Sequence, residues 1–232
     1  GVPNVYGPQR FGRHGDNHLL GRAWLTGEFD AVVERLTSPE RTGRFEASVR
    51  SALDGGATAE TALDSVPNRI RRLWMDALQS ALFNAVLLDR LADGTWNELV
   101  VDDLAHSFRT RRTFVVSDTD LQDEETRDRV SVHELSATGP LWGGSMRTPG
   151  SSIEQRERAV CDAVELIQLM GKFVEDDIQP VFRIHRSLSH TFPGKNHTPA
   201  VPALTQPNAL HPEVIPGLVG VRINQHRSEL SE

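Results

Sequence analysis

RIRRLWMDALQSALFNAVLLDRLAD, residues 69–93, is the longest regularly patterned stretch of the chain. Ile70, Leu73, Trp74, Ala77, Leu78, Ala81, Leu82, Ala85, Leu88 and Leu91 recur at the 3.6-residue period. That spacing predicts one long helix whose apolar stripe forms the centre of a domain core, with Gly94 as its C-terminal stop. Within it, Phe83 and Asn84 read as packing and a local hydrogen bond. Upstream, Asp16 or Asn17 can cap a short helix through Trp24. A second helix over about 28–36 carries Phe29, Val32, Val33 and Leu36 on one face, a third lies near 44–53 before Gly55-Gly56, and a short turn spans Thr58 to Ala62. Downstream the pattern changes. Leu99-Val100-Val101 and Thr113-Phe114-Val115-Val116 are apolar, β-branched runs that predict a pair of antiparallel strands, set apart by a turn at Asp102-Asp103 and by Arg109–Arg112. Residues 118–133 read as a charged, exposed helix and 137–150 as a Gly/Pro loop. Ser152-x-x-Gln155 is a capping box opening a helix to about Met170. The fold class is therefore α+β, helix-rich with a small antiparallel sheet.

Composition narrows the function classes. Hydrophobic residues make up 38% and charged residues 25% of 232, the balance of a water-soluble globular chain with enough length to bury a core. No run approaches the roughly 20 apolar residues of a membrane span. Cys161 is the single cysteine, so no intramolecular disulfide forms, and a reducing, cytoplasmic setting is expected. The net charge of −7 speaks against a general polyanion binder. Basic groups nevertheless cluster locally at Arg10, Arg13 and Arg22, at Arg69, Arg71 and Arg72, and at Arg109, Arg111 and Arg112; base rates favour a solvated surface for the last two groups. Residues 187–217, rich in Pro, Ser, His and Asn, read as irregular or disordered chain.

The chemistry-bearing stretch is the opening one, GVPNVYGPQRFGRHGDNH, residues 1–18. Gly and Pro at this density predict a fixed loop. It presents two amides (Asn4 and Gln9), an aromatic ring (Tyr6) and guanidiniums (Arg10 and Arg13), groups suited to a flipped nucleobase and its phosphates. The run resembles the signature of the TruD family of tRNA pseudouridine synthases: G-x-P-N, an aromatic, Phe or Tyr, then G-x-Q-R-F-G-x-x-G-x-N. Ser80-Ala81-Leu82-Phe83-Asn84 with Leu88, Arg90 and Leu91 resembles a second family block. Thr138-Gly139-Pro140-Leu141-Trp142-Gly143 resembles a third. The likeness runs in order over about residues 1–170.

The resemblance implies an isomerase that converts a uridine of tRNA, at position thirteen in the D-arm, to pseudouridine, with no cofactor and no metal. It implies that Asn4 hydrogen-bonds the uridine, that Tyr6 stacks on the base, and that Gln9, Arg10 and Phe11 complete the substrate-binding loop, Arg10 meeting phosphate or the catalytic carboxylate. It also implies a division. Residues 1–30 would belong to a remnant of the mixed-sheet catalytic domain, residues 31–172 to the inserted α+β domain that closes over tRNA, and 173–232 to a divergent Pro-rich segment. Two family features are missing. The family's terminal L-P-x-G-S block has no counterpart near the end. The motif that carries its essential aspartate, resembling G-x-K-D, is absent, so the catalytic group is expected upstream of Gly1, in a longer protein of which this chain is the downstream part. Asp16 reads as a helix cap, and Asp102 and Asp103 as turn residues. The His14/His18 and His185/His190 spacings lack the Cys or Glu partners of a zinc site, and no G-x-S-x-G elbow or phosphate-cradling glycine loop is present. The competing reading is a non-catalytic RNA-binding fragment or degenerate relative.

Overall fold

The computed structural model describes residues 2–143, 146–163, 184–185 and 187–188. Its centre is the predicted long helix, α5 (Asn68–Ala92). Before it come α1 (Asn17–Thr26), α2 (Phe29–Leu36), α3 (Arg44–Asp54) and α4 (Ala59–Leu63). The expected single stripe on α5 understates its burial. Met75, Gln79, Ser80, Phe83, Asn84, Val86 and Leu87 are buried together with Trp74, Ala77, Leu78, Ala81 and Leu82. Leu73, expected inside, is 50% exposed. The helix is enclosed on nearly all sides through its middle, with α1 on one flank and a C-terminal helix and sheet on another. A helix with neighbours all round needs apolar or small residues beyond one stripe, which a single-period reading does not show.

Gly21 explains the closeness of α1 to α5. A Cβ there would overlap the Trp74 carbonyl oxygen and lie 2.9 Å from its carbon, so only glycine lets the two backbones approach. The core cluster runs without interruption from Leu20, Ala23 and Leu25 through Val32, Leu36, Leu63, Trp74 and Leu82 to Trp142 and Cys161. The packing therefore crosses residue 30.

The sheet is where the sequence reading needs correcting. Leu99–Val101 is not a strand. Leu99 packs into a small core, and the chain turns at Asp102, which adopts φ 71°. The strand is β2 (Leu104–Ser107), whose LAHS sequence carries no β-branched residue. It pairs antiparallel with β3 (Thr113–Val115), as His106 opposite Thr113, and with β4 (Leu135–Gly139), as Ala105 opposite Ala137. β4 occupies the start of what reads as a Gly/Pro loop; its LSATG residues are all buried, and the Thr138 hydroxyl donates to the Leu104 carbonyl at 2.7 Å. The charged stretch forms two helices, α6 (Asp118–Gln122) and α7 (Glu124–Ser131), because Asp123 leaves the helical region (ψ 126°) to cap the second by accepting from the Thr126 N–H. α8 (Ser151–Ala163) follows. Its first turn is held by Asp102 rather than by its own capping box, the carboxylate accepting from the Ser152 N–H (2.9 Å) and hydroxyl (2.7 Å). The expected continuation to Met170 lies outside the described residues, as does most of the Pro-rich segment. Within that segment β5 (Ile184–His185) pairs with β4, and β6 (Ser187–Leu188) pairs with β1 (Val2–Pro3).

Candidate functional site

The opening loop is fixed by its own sequence and by α5. Pro8 starts a 3-10 turn, Pro8–Phe11, after the extended Gly7. The turn ends at Gly12, whose φ of 83° and contact with the Asn17 side chain leave no room for a Cβ. Phe11, the largest apolar group of the loop, is 1% exposed. It packs on Ala77 and Ala81 of α5 and meets the His18 ring edge-on at 5.2 Å. This anchors the loop, with the Phe11 ring buried beneath it rather than presented on its surface.

Tyr6 is the residue around which the site is built. Asn84, fully buried on α5, accepts a hydrogen bond from the Tyr6 N–H and donates to the Tyr6 carbonyl, both at 2.9 Å. The amide thus mimics a strand neighbour for one residue of the loop and satisfies both of its backbone groups. The neighbouring Phe83 meets the Tyr6 ring edge-on, with centroids 5.6 Å apart. The Arg10 guanidinium lies 4.9 Å from the centroid of the same ring, a cation–π contact. Tyr6 is therefore held through its backbone and two of its ring's sides while remaining half-buried. Burial raises the phenol above its ordinary pKa. The charge of Arg10 and its hydrogen bond to the phenol oppose that rise, and the charge of Asp76 adds to it. The phenol is neutral at pH 7.

Asn4 is half-buried two residues earlier, while Gln9 and Arg10 are exposed on the 3-10 turn. The loop thus brings Tyr6 and Arg10 together, with Asn4 beside them in the chain. The sequence reads Phe83 as packing and Asn84 as a local hydrogen bond, yet Asn84 bonds Tyr6 across 78 residues and Phe83 meets the same residue's ring. The only signal for that role was their place in the second resembling block. Asp76, whose charge reaches Tyr6 from the exposed side of α5, lies in none of the three resembling blocks.

The other acids are engaged elsewhere. Asp16 stands at the N-cap position of α1 but makes no side-chain cap; it pairs with Arg41 and, at 3.9 Å, with Arg35. Asp103 is wholly buried and pairs with the buried Arg90 at 3.0 Å, tying the end of α5 to the turn before β2. Arg71, grouped in the sequence with solvated arginines, instead lies over the Trp24 ring at 4.9 Å and donates to the Val66 carbonyl. No group of three His, Cys, Asp or Glu able to hold a metal occurs among the described residues. No helix among them is long and apolar enough to cross a membrane.

The third resembling block closes the arrangement from behind. Trp142 is buried in the main core, and its carbonyl accepts from Gln79 of α5 at 2.6 Å. All three blocks therefore converge on α5: the loop through Asn84 and Ala81, the helix block by residence, the third through Gln79.

Comparison with known proteins is specific. The family model of tRNA pseudouridine synthase D (TruD) matches residues 38–174, and the chain belongs to that family. The tRNA pseudouridine synthase D of Geobacter sulfurreducens is 30% identical over 195 residues, covering 72% of this chain and 46% of the relative. That of Anaeromyxobacter sp. strain Fw109-5 is 33% identical over 170 residues, covering 73% and 39%. A crystal structure from Methanosarcina mazei, solved as a candidate tRNA pseudouridine synthase D, superposes with a TM-score of 0.58 at 18% identity, over 75% of this chain and 49% of that one; at this identity it supports the fold. The chain spans about half the length, or less, of these relatives.

Proposed function

We propose that this chain supplies the uridine-holding part of a tRNA pseudouridine synthase. The observation that carries the reading is Tyr6, clamped through its backbone by Asn84 and braced at its ring by Phe83 and Arg10. A ring fixed in this way is pre-organised to receive a base that has left its stack, because little side-chain freedom remains to be lost on binding. In this reading Tyr6 stacks on the uracil and Asn4 hydrogen-bonds its edge. Arg10 stays on one face of the ring or turns to an adjacent phosphate, leaving the other face for the base. The target is a uridine of tRNA, position thirteen of the D-arm by family resemblance.

Pseudouridine formation breaks the bond from C1′ to N1 and joins the sugar to C5 of the same base, with the C5 proton lost. The family's essential carboxylate sits on a G-x-K-D motif that this chain does not carry, and in this reading it is supplied by the part of the relatives' length that this chain does not span. Asp16 and Asp103 are held in ion pairs. Residues 1–30 are assigned to the catalytic domain and 31–172 to the inserted domain, with the packing of α1 on α5 joining the two. A lone cysteine and a tRNA substrate fit a cytoplasmic protein.

Tyr6→Ala removes the stacking surface, and base–aromatic stacking is worth about 1–3 kcal/mol. The variant is expected to bind a tRNA transcript about tenfold more weakly while still folding cooperatively, its melting temperature lowered by the lost Phe83 and Arg10 ring contacts, whereas Tyr6→Phe retains binding. Equal binding by Tyr6→Ala and wild type would overturn the assignment.

A further inference from the structure

The sheet has two faces of different character. Ala105, Phe114 and Ala137 share one face and pack with Leu121 of α6 and Val130 of α7. The opposite face carries Leu104 and His106 of β2, with Val115 and Thr113 across from them on β3, since directly opposed residues project to the same side; Phe108, just past the strand in the turn, sets its ring against His106. Leu104 is covered, but Phe108 is 39% and Val115 42% exposed. The His106 and Phe108 rings stand edge-to-face at 5.6 Å. Arg147 is pinned on this same face, its guanidinium donating to the Thr113 hydroxyl at 2.7 Å and carbonyl at 2.9 Å.

The β2–β3 turn makes the edge of this face basic and rigid. Ser107 and Arg112 close it (Ser107 N–H to the Arg112 carbonyl, 2.9 Å), the Ser107 hydroxyl accepts from Thr110 N–H, and Arg111 takes φ 58°. Arg109 is spent on Glu134 at 3.2 Å. Arg111 and Arg112 are exposed and enter no ion pair among the described residues. The result is an exposed Phe108 ring backed by a half-buried His106, a fixed guanidinium and two exposed guanidiniums, on a protein whose net charge is −7.

We propose that this face of the β2–β3 hairpin is a second RNA-docking surface that takes unpaired nucleotides of the bound tRNA. Phe108 provides the stacking platform and Arg111, Arg112 and Arg147 meet the phosphates. Aromatic rings on a sheet with arginines at its edge suit unpaired nucleotides, whose bases are free to stack. Exposed arginines outside any ion pair, set beside an exposed ring, form a basic patch complementary to a polyanion. The proposal rests on the tRNA reading but concerns a surface on the sheet, separate from the Tyr6 loop.

The test is fluorescence anisotropy of the full chain with a labelled tRNA transcript across a salt series. Wild type is compared with Arg111→Ala/Arg112→Ala, Phe108→Ala and, as reference, Arg10→Ala. The double variant is expected to lower the salt slope by about 1.5, from two lost phosphate contacts, and Phe108→Ala to weaken binding about fivefold. Both arginines are solvent-facing, so the double variant remains informative if Phe108→Ala loses stability. Weaker binding by Arg10→Ala with no change in the hairpin variants would overturn this surface while leaving the tRNA reading intact. A reduced slope with no effect of a folded Phe108→Ala would overturn the stacking platform. Absence of tRNA binding by wild type would overturn both readings.

Discussion

Replacing Asn84 isolates the contact that holds the site. Asn84→Leu keeps similar volume at a fully buried position but removes both hydrogen bonds to Tyr6. Each such bond contributes about 1 kcal/mol net, and leaving a part-buried N–H and C=O without partners adds the cost of their desolvation, so the loss is about 2–3 kcal/mol. Asn84→Ala adds a cavity and should cost more. Asn84→Asp retains an acceptor for the Tyr6 N–H but sets a carboxylate against the Tyr6 carbonyl, and is expected to be at least as damaging as Leu. Urea unfolding of the full chain measures the stability change. Native-state amide exchange at Tyr6 locates it, since that N–H is protected in wild type and should exchange through local opening in Asn84→Leu. The loop ring would then be loosened, and tRNA binding should fall toward that of Tyr6→Ala. Stability within 0.5 kcal/mol of wild type, with the Tyr6 amide still protected, would refute the clamp.

Gly21→Ala should destabilise by about 1–3 kcal/mol, because the new methyl meets the Trp74 backbone rather than a side chain able to move; a thermal melt equal to wild type would refute the close approach of α1 and α5. Asp103→Ala strands the buried Arg90 and should cost about 3–5 kcal/mol, whereas Arg90→Met with Asp103→Leu should recover much of that loss, as read in urea unfolding. Asp93, Asp102, Asp120, Asp123 and Glu134 all have carboxyl pKa values below the ordinary range. Burial opposes the shift of Asp93, which Thr95 and Arg156 produce; hydrogen bonds from Ser152, Ser117, Thr126 and Arg129 lower the other four in that order. A depressed native pKa means stability that is complete above the unfolded value and lost as pH falls through the native one. The melting temperature should therefore hold from pH 7 to about 5 and drop below about pH 4.

Much of this fold was legible because its signals are local. The α5 period, the glycine stops and the separate helices of the N-terminal half appear where spacing placed them. In the sheet, the Thr113–Val115 strand lies where its β-branched run predicts, but its partner falls at Leu104–Ser107 rather than Leu99–Val101, because burial selects LAHS, with LSATG beyond it, over the stronger strand propensity upstream. Small buried residues let strands lie close under other elements, and that choice is made by tertiary packing. The loop's importance was legible from its composition and resemblance, but the division of labour within it was not. Phe11 looks like a ligand group and is an anchor, while Asn84 looks like a core amide and is the clamp. Asp16 sits where a cap belongs, yet the distant Arg41 takes its carboxylate. Each difference is a contact between residues far apart in sequence.

The most direct measurement is single-turnover tritium release from tRNA transcripts bearing 5-³H-uridine, made with this chain alone and with a version extended upstream of Gly1. The account predicts release by the extended protein, none by this chain, and loss of release in the extended Tyr6→Ala variant. Release by this chain alone, abolished by Asp76→Asn, would contradict it by placing the catalytic carboxylate on α5 beside Tyr6.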